Sequence, residues 1–356
     1  MGPVRGKGAA SNHASMRFGL AARIADGDWL DAAALVDGPA SKLRTQVQSI
    51  AARTILSRNT SPDIPFDRSI NAYVGCEHGC IYCYARPTHA YHDLSPGLDF
   101  ETRLFAKPEA ARLLRHELAA KAYTPAPIAL GTNTDPYQPI EGRFRLTRQI
   151  LEVCAEVRHP VTITTKSARV LEDLDLIAAM ARHNLVAVAI SVTSLDARLS
   201  ATLEPRASTP ENRLTAIARL ADAGVHVGVN VSPIIPAITD DAIEAILARA
   251  GAAGARSASW IAIRLPHEVA PLFREWLQCH FPDRADKVMA IIQSLRGGRD
   301  NDPAFFTRMK PQGVWADLIR TRFRIARTRA GIPQIRAVLD CSQFQPPARD
   351  GQLTLF

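Results

Sequence analysis

The chain has 356 residues, 47% of them hydrophobic and 22% charged, and carries a formal net charge of +8. That is ordinary globular composition with length for one large core, either a barrel with extensions or two domains. The positive surplus permits a polyanionic partner without requiring one.

The first residues, MGPVRGKGAASNHASMRF, lack the apolar core of a signal peptide. The longest apolar run, Leu185 to Val192, falls far short of the ~20 residues of a membrane span. The expectation is a cytoplasmic protein with no membrane contact. There the six cysteines stay reduced, and clustered ones read as metal ligands rather than disulfides.

Residues 1–65 read as an extension, loose over the Gly-, Ala- and Ser-rich first 15 positions. SPDIPFDRSI (61–70) is loop chemistry leading into a short strand. The chain then alternates. PEAARLLRHELAAK (108–121) reads as an amphipathic helix with Pro108 near its start, and APIALGTNTDP as a buried strand running into a polar loop. RLTRQILEVCAEV is a helix, PVTITTKS a strand, ARVLEDLDLIAAMARHN a helix and LVAVAISVTS a strand. TPENRLTAIARLADAG reads as a helix capped by Thr209, with Pro210 in its first turn and Gly224 at its end. VHVGVNVSPII (strand), TDDAIEAILARAGAAG (helix) and ASWIAIRLP (strand) complete the alternation.

These strands are short, continuously apolar and rich in Val and Ile, and each is followed by a helix. The pattern is that of a parallel sheet covered by helices, with about six βα units. No Gly-x-Gly-x-x-Gly follows a strand, so an open or closed barrel fits better than a dinucleotide fold. Polar residues gather at the strand C-terminal ends: Thr132, Asn133 and Asp135, then Lys166, then Thr193. That is the functional face of an α/β barrel. After residue 267 the segments turn helical and charged. The expected divisions are an extension (1–65), a barrel core (66–266), a basic helical region (267–345) and a tail (346–356).

GCEHGCIYC (75–83) holds Cys76, Cys80 and Cys83 in the spacing C-x3-C-x2-C. Thiolates suit zinc or iron–sulfur clusters. Complete ligation of a [4Fe–4S] cluster takes four cysteines, so three leave one iron with an open position. The alternative is zinc with a fourth ligand from His78, His89 or His92, although the paired C-x2-C motifs usual for zinc are absent. Cys154 and Cys279 lie in helix patterns and read as inert thiols.

The C-x3-C-x2-C-Tyr motif after the first strand of a βα-repeat chain resembles the radical S-adenosylmethionine (SAM) superfamily. NAYVGCEHGCIYCYARPTHAYHDLSPGLDFE, GTNTDPYQPIE, TTKS and LEPRASTPENRL resemble a bacterial subfamily grouped with spore photoproduct lyase and labelled DNA repair photolyase-like. The resemblance implies a partial (β/α)6 TIM-type barrel with an N-terminal extension and a helical C-terminal region. It also implies a [4Fe–4S] cluster on Cys76, Cys80 and Cys83, a bound SAM cleaved by one electron to methionine and a 5′-deoxyadenosyl radical, and an external donor of flavodoxin or ferredoxin type. By position it implies an adenine-side role for Tyr82 and Tyr84, and places Asn133 and Asp135 by the SAM amino end. It implies carboxylate binding by Lys166, and a ribose and carboxylate role for Ser191, Thr193 and Arg206. The spore lyase carries a cysteine hydrogen donor at the end of its second strand. Here that stretch is Leu130-Gly131-Thr132-Asn133, so chemistry of that kind needs another donor, with Cys341 or a tyrosine as the candidate.

Residues 296–336 hold ten basic residues against three acidic ones. DLIRTRFRIARTRAGIP (317–333) reads as a helix with Ile319, Phe323, Ala326 and Ala330 on one face and Arg320, Arg324 and Arg327 on another, a stripe able to follow a phosphate backbone. The tail's Gln352, Leu353, Leu355 and Phe356 resemble the peptide by which bacterial replication and repair proteins dock on the DNA sliding clamp. The leading expectation is a radical SAM enzyme acting on an unidentified substrate, DNA or RNA among the candidates. Its rival is a non-catalytic, metal-dependent nucleic-acid-binding or repair-accessory module.

Overall fold

In the computed structural model, which describes residues 6–15, 17 and 43–348, the apolar runs become short strands. In chain order these are β1 (Gln46–Ser49), β2 (Leu56–Arg58), β3 (Arg68–Ile70), β4 (Tyr73–Val74) and β5 (Arg103–Ala106). They continue as β6 (Ile128–Leu130), β7 (Val161–Thr165), β8 (Val186–Ser191), β9 (His226–Ile234) and β10 (Ser257–Ala262). The main sheet has the order β2-β3-β6-β7-β8-β9-β10. From β3 to β10 every pairing is parallel, and only the edge strand β2 is antiparallel. Among the described residues β10 does not pair back to β2, so the sheet curls without closing. This is the partial TIM-type barrel with six parallel strands that the βα rhythm implies.

Register keeps the large side chains in layers. Val161 of β7 stands opposite Ile128 on one side and Val186 on the other. Every second residue of β7 (Val161, Ile163, Thr165) is buried, as the period of two demands. The helices α1 (Ala110–Leu118), α2 (Leu146–Glu156), α3 (Leu174–Ala181), α4 (Ala197–Leu203), α5 (Pro210–Asp222) and α6 (Ile243–Ala252) follow the strands. Local chemistry sets their ends. The Thr209 hydroxyl accepts from Asn212 N at 3.4 Å, Pro210 opens α5, and Gly224, at φ +80°, turns the chain out of it.

Beyond the barrel lie α7 (Val269–His280), α8 (Ala285–Ser294) and α9 (Val314–Arg329). The expected boundary at residue 267 is not a boundary of packing. Phe273, Trp276 and Leu277 of α7 share one apolar cluster with Cys80, Ile81 and Tyr82. Ile319, Phe323 and Ala326 of α9 are buried in the main core, where the Phe323 ring lies 6.3 Å from that of Trp260.

The N-terminal segment departs from expectation. Residues 43–65 supply β1, which joins a small sheet ordered β1-β5-β4, and β2, which caps the edge of the barrel. Residues 8–15, expected to be loose, are tied down. Gly8 N and Ala9 N donate to the Glu101 carboxylate, Leu98 N donates to Ser11 O, and Asn12 exchanges two hydrogen bonds with Asp99. Backbone amides make most of these bonds, so composition carried no sign of them. No described helix is long and apolar enough to cross a membrane.

Candidate functional site

The site begins where β4 ends. Gly75 (φ +77°) and Gly79 (φ +65°) bend the chain into a loop that side chains at those positions would obstruct. A Cβ on Gly79 would stand 2.6 Å from Glu101 Oε2. Within the loop Gly79 N donates to Cys76 O at 3.3 Å, Cys83 N to Cys80 O at 3.2 Å and Arg86 N to Cys83 O at 3.2 Å. These tight turns carry all three thiols on one short stretch at the C-terminal edge of the parallel sheet.

Arg86 holds this loop from behind. It is fully buried, and all of its donor nitrogens are used: Nε on Cys80 O (2.9 Å), Nη1 on Pro96 O (3.0 Å) and Gly97 O (2.9 Å), Nη2 on Gly79 O (3.1 Å) and Glu101 Oε1 (2.6 Å). A planar guanidinium satisfies this many acceptors at once, and a lysine does not. Gln138 braces the other flank, accepting from Glu77 N at 2.9 Å and donating to Gly75 O at 3.2 Å. Sequence reasoning passed over Arg86, Glu101 and Gln138. The only signal was a cationic residue three positions after a metal-type cysteine.

Burial pushes the Cys76 and Cys80 thiols up from their usual range, and the neighbouring cysteines act in the same direction on both. Without a cation to hold their thiolates Cys76 and Cys80 stay protonated, so binding iron there means displacing protons. The donor set fits a cluster better than zinc with a histidine. His78 Nδ1 faces Asp135 Oδ2 at 3.3 Å, and His89 Nε2 lies 2.9 Å from Arg103 O. His92 packs at a tilt against Phe105 with ring centroids 4.8 Å apart.

The opposite wall comes from β6, β7, β8 and the turn after α4. Asp135 accepts from Thr165 Oγ1 (2.6 Å), Lys166 N (2.8 Å) and Tyr137 N (2.9 Å). Burial disfavours its charge, but the His78 imidazole and these donors outweigh that and hold it down at about 2. The role implied for Asp135 at the SAM amino end therefore falls on a carboxylate already engaged in locking β6 to β7. Asn133 stands at the rim, its N–H on Asn71 Oδ1 at 3.1 Å.

Deeper in, a buried carboxylate that the sequence reading missed holds Tyr82 and Thr193 and, through Arg213, the end of β8 at Ser191. Glu204 Oε1 accepts from the Tyr82 hydroxyl and from Thr193 Oγ1 (2.7 Å), and its Oε2 pairs with Arg213. Arg213 also donates to Ser191 O at 3.0 Å and Ser208 O at 2.7 Å, so it ties the end of β8 to the start of α5. Both partners are fully buried, which makes each indispensable to the other. Lys166 projects over the Tyr82 ring, its Nζ 5.8 Å from the centroid. Burial opposes its charge, while Cys80 and Glu204 restore it and leave its pKa raised. Tyr82, Lys166, Ser191 and Thr193 are thus brought together beside Cys80. Tyr84 is set apart, half-exposed, with its hydroxyl on Thr132 O. Arg206 is spent on Glu77 at 2.6 Å and Thr45 at 3.1 Å.

Cys341 is not part of this face. Asp340 N donates to Asn184 O and Gln345 N to Val157 O, which places residues 340–345 beside the N-terminal ends of β7 and β8. The thiol is therefore at the opposite end of the barrel from Cys76, Cys80 and Cys83, and its candidacy as hydrogen donor is corrected. Its segment is irregular, and nothing local told which end it would cross. Arg320, Arg324 and Arg327 lie on α9, where Arg320 pairs with Asp317 and Arg327 donates to Gln334 at 2.9 Å. Gln352, Leu353, Leu355 and Phe356 lie outside the described residues.

Comparison with known proteins agrees with this geometry. The chain is 38% identical over 232 residues to an uncharacterised protein of Mycobacterium tuberculosis, covering 65% of this chain and 68% of that one. It is 24% identical over 226 residues to a protein of Pseudomonas phage M6 named radical SAM Nα-GlyT isomerase, covering 63% of this chain and 45% of the phage protein. A solved mutant of spore photoproduct lyase shares the fold, with a TM-score of 0.54 at 15% identity over 80% of this chain and 78% of that one. Residues 70–250, from β3 through α6, match the family model of the radical SAM superfamily. A chain that carries three thiols at the open end of a partial barrel, and matches that family over half its length, belongs to the radical SAM superfamily.

Proposed function

We propose that Cys76, Cys80 and Cys83 hold a [4Fe–4S] cluster, that SAM binds in front of them, and that the enzyme acts on nucleic acid. The observation that carries the reading is the braced loop with three thiols and no fourth, facing Lys166 across the barrel mouth. A cluster held by Cys76, Cys80 and Cys83 would supply the one-electron reduction that cleaves SAM, with the electron coming from an external flavodoxin- or ferredoxin-type donor.

The chain's own residues bind and orient. Lys166 is the cation for an anionic carboxylate, because it makes no ion pair among the described residues while Arg206 is engaged by Glu77. Glu204 holds the Tyr82 hydroxyl and Thr193 in fixed positions, so the ring beside Cys83 presents one face. Tyr82 and the apolar residues of α7 exclude water from the loop's underside.

The nucleic-acid reading is supported by the +8 charge and by the exposed Arg324 and Arg329 on α9. The sliding-clamp peptide at residues 352–356 fits the same reading as a means of delivery to DNA. The test is anaerobic reconstitution with iron and sulfide, then reduction in the presence of SAM. Release of 5′-deoxyadenosine supports the chemistry. A fully loaded cluster that leaves SAM intact counts against it.

A further inference from the structure

Past the end of β10 the chain runs through Ile263-Arg264-Leu265, and guanidinium groups collect there. Arg264 Nη1 reaches only the Met309 sulfur, at 3.3 Å, and its Nε is buried with no hydrogen-bond partner. Arg296, 4% exposed, donates to Arg308 O (2.8 Å) and Ile263 O (3.3 Å), and its Nε is likewise unpartnered. Neither is paired with a carboxylate among the described residues. Arg308 is paired, with Asp63 at 2.6 Å, and Asp302 faces Arg299 at 3.8 Å. Two carboxylates therefore serve four arginines. Burial, and then the field of Arg308, lower the basicity of Arg264, and Arg264 acts the same way on Arg296. Gathering half-buried like charges costs stability unless something else occupies the spot.

Aromatic rings lie against two of these arginines. The guanidinium of Arg264 lies 6.0 Å from the ring of Tyr84, the residue after Cys83, and that of Arg308 lies 4.8 Å from the ring of Phe305. Tyr84, Phe305 and Phe306 are each half-exposed. Phe306 sits at φ +67°, a conformation a bulky residue adopts only when held there. Its N–H donates to Asp63 Oδ2 at 3.0 Å, the same carboxylate that fixes Arg308. The loop is thus built to turn two rings outward beside an unspent cation.

We infer that Arg264 and Tyr84, with Phe305 and Phe306 on the adjoining loop that Asp63 and Arg308 hold, form a phosphate-and-base subsite for single-stranded nucleic acid. Arg264 takes a backbone phosphate, and the rings supply stacking faces for bases. The pairing of cation and flat apolar rings is what separates this ligand from an acidic peptide, which would use the charge and leave the rings bare. Because Tyr84 follows Cys83, a strand held here runs into the proposed cofactor site. The inference rests on the nucleic-acid reading above and locates its contact away from α9.

The test is fluorescence anisotropy with thymidine DNA and uridine RNA of about 12 nucleotides, on the reconstituted full chain. SAM affinity by calorimetry and cluster absorbance are measured alongside. Arg264→Gln is expected to weaken oligonucleotide binding about tenfold and to flatten its salt dependence by about one phosphate. The exposed pair Phe305→Ala with Phe306→Ala is expected to weaken it at least about fivefold. Both variants are expected to keep SAM affinity and cluster absorbance. If Arg264→Gln loses its cluster, the Phe double variant decides. Loss of SAM affinity with unchanged oligonucleotide binding makes Arg264 a cofactor residue and overturns the subsite. Unchanged oligonucleotide binding by both variants, with weakening by Arg324→Glu, overturns the subsite and leaves the nucleic-acid reading standing. No binding of either oligonucleotide by the native protein overturns both.

Discussion

Glu141 is almost fully buried; its Oε1 accepts from Thr147 N at 2.9 Å, and the Tyr73 hydroxyl donates to Oε2. Burial pushes its pKa up to about 7, against the pull of those hydrogen bonds. A carboxyl whose folded pKa exceeds its unfolded one stabilises the fold fully below the unfolded value and loses that stabilisation as pH rises through the folded value. Stability should therefore fall between pH 4.5 and about 7, by about 3 kcal/mol from this one group. Glu141→Gln, which cannot ionise, should show a flatter profile across that window in urea unfolding of the reconstituted protein. An identical profile in the variant would assign the pH dependence elsewhere. The cysteines give a sharper contrast. Ala at Cys76, Cys80 or Cys83 should each abolish cluster absorbance and SAM cleavage. Ala at Cys154, Cys279 or Cys341, which lie away from the loop, should leave both intact. A Cys80→Ala protein that kept a full iron complement would show the ligand assignment to be wrong.

The loop from Gly75 to Arg86 and the helix α9 show what separates a braced element from a merely charged one. Arg86→Lys replaces the planar fork with a single ammonium. That leaves Gly79 O, Pro96 O and Gly97 O competing for one ammonium and Glu101 Oε1 with only Ala9 N, at a cost of about 3–5 kcal/mol. The measurable outcome is a lower unfolding midpoint together with faster loss of iron to a chelator. A variant that held iron as well as the native chain would mean that the loop does not depend on this brace. The arginines of α9 do not stand equal. Arg320 shares its charge with Asp317, and Arg322 with Glu244, whereas Arg324 is exposed and forms no ion pair among the described residues. Arg324→Glu should weaken nucleic-acid binding more than Arg320→Glu and reduce its salt dependence. Equal effects would show that long-range charge, rather than direct contact, governs α9.

At the scale of the whole molecule, the barrel was legible because short Val- and Ile-rich segments alternate with amphipathic helices, although β7 and β8 bury mainly alternate residues and β10 is only partly buried. The three cysteines stood out because their close spacing is a metal-type pattern, and the structure carries them on one braced loop. The Glu204–Arg213 pair was not legible. Its members are separated by nine positions in sequence and meet only because α5 returns under the end of β8. The tie between residues 8–9 and Glu101 was hidden for the reason already seen, that it uses backbone amides. β1 and β2 were hidden because strands of four and three residues carry no periodicity.

The placement of residues 340–345 bears on the clamp peptide. That segment crosses the end of the barrel opposite the cysteine loop, bonded to Asn184 and Val157. Six residues then separate Gln345 from Gln352, and they include the Pro-Pro and Asp-Gly of a turn-forming stretch. A docking peptide rooted at that end leaves the barrel mouth free for substrate while the clamp is engaged. Truncation after Gly351 should therefore abolish capture by the cognate sliding clamp and leave 5′-deoxyadenosine formation and oligonucleotide affinity at native levels. Calorimetry with the clamp, paired with turnover of the same preparations, separates the two properties. If the truncated chain bound the clamp as well as the full chain, or if neither bound, the docking role of Gln352, Leu353, Leu355 and Phe356 would be excluded. If truncation instead lowered turnover, the tail would be acting on its own barrel, the one arrangement that the position of residues 340–345 argues against.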